Sequence, residues 1–283
     1  MVNLVTADLR TYRHFFSPGD EKHGHQAPSL TELIRTWHNE GLGIVSLSAN
    51  HSGTGGIDNS WRDYRKQIPT LSDVQVDDRS DEGYMVLTQI PLRQKIIVVN
   101  SQVVRAYDGE HPVHINVLGV PEILNPGKQF QETIEEARKY DGIVLLSNVG
   151  DRSGLPIAKA EDLYLKGTAD GVEVSAEARP KITQKILERL VGYKRKPVAV
   201  SGAHSHNLAG TSCILVDENL VTDFSIPYLK DVIVNGEFNP HLGQISLLQR
   251  FWTRDRYILQ SALPHILSKE KREEFLRATG IKK

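Results

Sequence analysis

The sequence is short of the features that mark several large classes of protein. It has one cysteine, Cys213, so no disulfide can form within the chain, and a lone thiol in the apolar string "TSCILV" reads as a small buried residue in a reducing compartment. It has no excess of positive charge: Lys and Arg number 34 against 35 Asp and Glu, which argues against nucleic acid and anionic lipid as partners. No apolar stretch approaches the roughly 20 residues that cross a bilayer. The opening string "MVNLVTADLRTYRHFF" lacks a basic segment followed by an apolar one, so no membrane association is expected and a cytoplasmic location is. The phosphate cradle G-x-x-x-x-G-K-[ST], the dinucleotide fingerprint G-x-G-x-x-G and the nucleophile elbow G-x-S-x-G are all absent, and the Gly-rich "HSGTGG" fits none of them.

What is present is an α/β rhythm. A chain of 283 residues that is 39% hydrophobic supports one large domain. Short β-rich runs alternate with helical patterns, as in parallel strands joined by crossover helices. Residues 3 to 9 form a first strand. In "SLTELIRTWHNEGLG", Ser29 is placed as an N-cap with Glu32 as its capping-box partner, Leu30, Leu33, Ile34 and Trp37 share a face, and Gly41 ends the helix. Further strands are predicted in "GIVSLSAN", "KIIVVNSQVVRAY", "HINVLGV", "GIVLLSNV", "DGVEVSA", "KPVAVSGAH" and "TSCILV", and helices in "GKQFQETIEEARKYDG", "RPKITQKILERLVGY" and "SIPYLKDVIVNGEF". Two segments break the pattern. Residues 51 to 83 are polar and read as a long loop or lid, and residues 243 to 283 read as a helical extension to a barrel spanning 1 to 242.

In a barrel of parallel strands, function gathers at the C-terminal strand ends. Those ends hold Asp8 with Arg10 and Tyr12, Ser48 with Asn50 and His51, Gln102, His114 with Asn116, Asn148 with Asp151 and Arg152, Glu173, and His204 with His206. The order and surroundings of these residues resemble those of the PHP (polymerase and histidinol phosphatase) superfamily, phosphoesterases with a trinuclear metal centre on a distorted seven-stranded barrel. The family's opening D-L-H-x-H corresponds to "DLRTY", with Arg10 and Tyr12 in place of the histidines. Its G-L-x-x-[IL]-x-[IL]-T-D-H corresponds to "GLGIVSLSAN", with Ala49 and Asn50 at the aspartate and histidine and His51 one position beyond. "VVNSQVVRAYDGEHPVHINVLG" puts Gln102 or Val103 at a glutamate and either His114 or Asn116 at a histidine. Asn148 stands at another histidine, and "SGAHSH" matches S-D-x-H-S with Gly202 for the aspartate and His204 retained.

The resemblance therefore implies a distorted TIM-like (β/α)7 barrel of the PHP type that has lost most of its metal ligands. Arg10 brings a fixed positive charge where a cation would bind, and Asn and Gln are weak neutral donors. The first expectation is a catalytically inactive scaffold or a module binding a small anionic or phosphorylated ligand, through Arg10, Tyr12, Asn50, Gln102, Asn116, Asn148, Arg152 and His206, with no cofactor. The alternative is a phosphoesterase with a reduced site on His51, His114 and His204, metal-free or holding a single divalent ion such as zinc or manganese; His114, His204 and His206 are its candidate ligands. A third expectation is an assembly or interaction protein that works through the loop at 51 to 83 and the tail, with the tail, where Phe251 and Trp252 lie, meeting a second copy or a protein partner.

Overall fold

A computed structural model describes residues 3–12, 29–51, 60–68, 71–90, 93–151, 154–175, 180–191, 196–201, 210 and 212–243; for residues 10–12, 50, 51, 60, 180 and 191 it describes the backbone alone. The tail assigned to residues 243–283 thus lies, but for Gly243, outside the described residues.

Within them the chain runs β1 (Leu4–Tyr12), α1 (Leu30–Asn39), β2 (Leu42–His51), α2 (Ser60–Arg65), β3 (Val74–Arg79), β4 (Tyr84–Gln89), β5 (Lys95–Asp108), β6 (His111–Leu118) and α3 (Phe130–Arg138). It continues through β7 (Ile143–Ser147), α4 (Ile157–Leu165), β8 (Gly171–Ser175), α5 (Pro180–Val191), β9 (Val198–Val200), β10 (Ser212–Asp217), α6 (Asn219–Thr222), α7 (Ile226–Asn235) and β11 (Asn239–Leu242). Nine strands in the order β11-β10-β1-β2-β5-β6-β7-β8-β9 form a nearly closed, barrel-like sheet, with β9 lying beside β1 and β10 at the seam. This is a mixed α/β fold of the TIM-like barrel type.

The local chemistry explains the helices. At α1 the Ser29 hydroxyl accepts from the Glu32 amide at 3.2 Å and the Glu32 carboxylate accepts from the Ser29 amide at 2.7 Å, closing the expected capping box. Leu30, Leu33, Ile34 and Trp37 are buried as their spacing requires. At α7, Ser225 accepts from the Tyr228 amide at 3.2 Å, and Gly236 takes the left-handed conformation that stops the helix.

The sheet departs from the all-parallel expectation. β1, β2, β5, β7, β8 and β9 share one direction, whereas β6 runs antiparallel between β5 and β7, and β10 runs antiparallel to β1. The link from β5 to β6 is only Gly109 and Glu110, too short for a crossover, so the strands must form a hairpin. The segment at 51–83 is also corrected in part. Among its described residues it carries α2 and β3, and β3 folds back on β4, which pairs with the first half of β5. The polar composition "VQVDDR" misled because β3 is an edge strand with a single neighbour, where charged side chains are the rule. Helix α4 went unforeseen in "IAKAEDLYL", which buries only Ala160 and Tyr164.

Fourteen-residue β5 changes partner along its length. Lys95–Val99 pair with β4 and Ser101–Asp108 with β6. Asn100 is the joint: its amide donates to Gly83 at 2.8 Å, its carbonyl accepts from the Gly119 amide at 2.8 Å, and its side chain donates to the Val120 carbonyl. Gly83, at φ +83°, is required there, since a Cβ would lie 2.2 Å from the Gly119 oxygen. A main apolar core includes the barrel and the helices over β7, β8 and β10, and a second one lies between α1, α2, β2, β4 and β5.

Candidate functional site

Side chains alternate across each strand, so every second residue near the mouth faces into the bowl. At the mouth the inward positions carry polar groups. Asp8, fully buried midway along β1, accepts from the Ser201 amide at 3.1 Å and the Gly210 amide at 2.8 Å. One carboxylate thereby ties the first strand to the end of β9 and to the turn before β10. Its charge also reaches Cys213 on β10: burial first, and Asp8 second, push the thiol up to about 11.

Beside this clasp lies a hydrogen-bonded ladder of buried groups. Ser46 and Ser48 on β2 have their hydroxyls 3.5 Å apart, and Ser48 meets Ser101 of β5 at 2.9 Å. Ser101 donates to Asn116 Oδ1 of β6 at 2.6 Å. Asn116 Nδ2 then donates to Glu173 Oε1 of β8 at 2.6 Å and to the Leu9 carbonyl at 3.1 Å, and Ser147 of β7 donates to Glu173 Oε2 at 2.5 Å. Asn116 is the centre because an amide accepts on one side and donates on the other, which neither a carboxylate nor an aliphatic residue does. The ladder's bonds among the described residues run between hydroxyl, amide and carboxylate groups. Among the described residues, no group of three or more His, Cys, Asp or Glu is placed to hold a metal ion.

The sequence candidates divide accordingly. Asn116, Asp8, Ser48 and Glu173 come together in the bowl. His114 lies two residues toward the mouth from Asn116, half-buried, and pairs across the sheet with Ser147. Asn148 follows β7 at φ +54°, a left-handed turn position that asparagine tolerates and that accounts for the residue type there. Gln102 does not join the others. It is on the outer face of β5, where its Oε1 accepts from the Leu124 amide at 2.9 Å and its Nε2 donates to the Glu122 carbonyl at 2.6 Å, pinning the loop after β6. The backbones of Arg10, Tyr12, Asn50 and His51 end β1 and β2, and their side chains lie outside the described residues, as do Arg152, His204 and His206 altogether. Ser101 and Ser147 went unnoticed. Their signal was the period of two: Ser101 follows Ile97 and Val99 on one face of β5, a polar residue where an apolar one was due.

No protein-family model matches the chain, and no curated protein matches it. Solved structures do. PsfC from Pseudomonas syringae aligns with a TM-score of 0.57 at 10% identity over 92% of this chain and 99% of its own. A candidate metal-dependent phosphoesterase from Bifidobacterium adolescentis aligns at 0.45, with 9% identity over 73% of this chain and 90% of its own. An amidohydrolase from Chromobacterium violaceum, solved with bound sulfate and no metal, aligns at 0.42, with 12% identity over 70% of this chain and 87% of its own. At such identities the likeness to PsfC, which runs over nearly the whole of both chains, is one of fold.

Proposed function

We propose that this chain is a PHP-like barrel protein whose bowl has exchanged the family's metal centre for a hydrogen-bonded ladder, and that it serves as a binding module for a small anionic or phosphorylated ligand without hydrolysing it. The ladder around Asn116 carries the reading. A metal cluster needs several anionic or imidazole lone pairs free to replace its water. The described residues of the bowl do not fit that need. Both oxygens of Asp8 accept backbone amides, both oxygens of Glu173 accept from Asn116 and Ser147, and Asn116 presents its donors inward. Turning any of them toward a cation would strand buried partners, at about 1–3 kcal/mol each. In sequence, Arg10 adds a fixed cation at a former ligand position of the resembled family, which favours an anion over a metal ion.

Elemental analysis of the purified chain, coupled to a phosphoester panel with and without added manganese, tests this. Substoichiometric metal and no turnover are expected. Two or three tightly held equivalents of zinc, manganese or iron would overturn the proposal, and turnover abolished by His204→Ala would replace it with a reduced phosphoesterase site.

A further inference from the structure

The wall of the bowl carries a cation that the ladder does not use. Beyond Ser101 the pairing of β5 with β6 continues without a break to Asp108↔His111, so Val103, Arg105 and Tyr107 follow Ser101 along the inner face toward the mouth. Arg105 stands directly across from His114, which stands in turn across from Ser147. Its guanidinium carbon is 5.5 Å from the centroid of the Tyr107 ring, an arrangement that holds the cation against an aromatic face. The side chain is half-buried, it makes no ion pair among the described residues, and its Nε–H is buried without an acceptor.

That last detail gives the direction of recognition. Nε and one Nη form the edge by which a guanidinium meets an oxyanion through two parallel hydrogen bonds. A half-buried arginine with this edge unmatched, fixed by an aromatic ring on the inner wall of a bowl, is arranged for a ligand oxygen pair. We infer that Arg105 is the anion receptor of the bowl, taking the oxyanion group, phosphoryl or carboxylate, of a small molecule seated against the inner face of β5 and β6 near the mouth. The assignment rests on the anion-binding reading above and supplies its principal contact.

Calorimetric titration of the full chain at constant ionic strength tests it, with inorganic phosphate and acetate as probes. Wild type, Arg105→Met and Arg105→Lys are compared. Saturable binding is expected in the wild type, with phosphate or acetate showing which oxyanion is preferred. Affinity is expected to fall at least about tenfold in Arg105→Met, and by a similar factor in Arg105→Lys, which keeps the charge but not the two-bonded edge. Arg105→Lys also decides the matter should the methionine variant not fold. Unchanged affinity in the folded variants would overturn the role of Arg105 and leave anion binding standing. No saturable binding of either probe by the wild type would overturn both.

Discussion

Asn116→Asp is the sharpest probe of the ladder, because it alters one atom at its centre. In the native chain Asn116 Nδ2 is 2.6 Å from Glu173 Oε1 and 3.1 Å from the Leu9 carbonyl, in a fully buried position. An oxygen in its place would bring three acceptors together with no hydrogen between them unless the new carboxyl keeps its proton. The folded variant therefore holds a proton that the unfolded chain releases near pH 4. A folded pKa raised in this way gives stability that is complete below about pH 4 and is lost as pH rises toward the folded value. Burial beside a second carboxyl raises such a group by about three pH units, which is about 4 kcal/mol at about 1.4 kcal/mol per unit. Adding about 1 kcal/mol for the lost bond to Leu9, the deficit against wild type is about 2 kcal/mol at pH 5 and about 5 kcal/mol at pH 8. Urea unfolding followed by circular dichroism and tryptophan fluorescence at both pH values measures it. Asn116→Leu, which cannot titrate, should show one deficit throughout. A deficit for Asn116→Asp that is the same at both pH values, or below about 1 kcal/mol at pH 8, would refute the role given to the amide.

Other expectations concern the frame around the bowl. Asp170 receives both Nη groups of Arg138, at 2.6 and 3.0 Å, and the Val144 amide at 2.8 Å; Asp170→Ala should cost about 3 kcal/mol in urea unfolding by leaving a mostly buried cation unpaired, and a loss below about 1 kcal/mol would contradict this. Gly83→Ala should lower stability by about 2–3 kcal/mol through its positive φ and the 2.2 Å approach to Gly119, and a thermal midpoint equal to wild type would show that the joint at Asn100 can shift. The Cys213 thiol, pushed up to about 11, should react with iodoacetamide at pH 8 on the order of a hundredfold more slowly in the folded chain than in urea. The same shift makes folding lose stability between about pH 9 and pH 11, because the unfolded chain releases that proton first; equal labelling rates in both states would remove the basis for both statements.

The parts of the fold written in short-range chemistry were legible in the sequence. Ser29, Glu32 and Gly41 specified α1 through local hydrogen bonds and backbone freedom, and apolar runs such as "GIVLLSNV" specified strands buried on both faces. Strand direction was less legible, because it depends on what a connection permits; the two residues between β5 and β6 were the available clue. The polar strand β3 was hidden because an edge needs little hydrophobicity. For the site, sequence order located the mouth but not which way a residue faces. Gln102 and Ser101 are neighbours on β5, yet one pins an outer loop and the other joins the ladder. Arg105 escaped notice because it matches no ligand position of the resembled family, and only the register against His114 places it on the inner wall.

The clasp made by Asp8 also bears on how the chain is made. Its two amide partners, Ser201 and Gly210, lie 193 and 202 residues downstream, and β10, which covers the same edge of β1, is no nearer. β1 can pair with β2 as soon as both emerge from the ribosome. Its other edge, with a carboxylate destined for burial, must wait about 10–40 s at ordinary rates of synthesis. Throughout that interval the nascent sheet carries an open, partly apolar border of the kind that recruits strands from other chains. Barrel closure thus comes long after β1 is made, and crowded polysomes or slow synthesis will reduce yield through β1 before any property of the finished bowl comes into play.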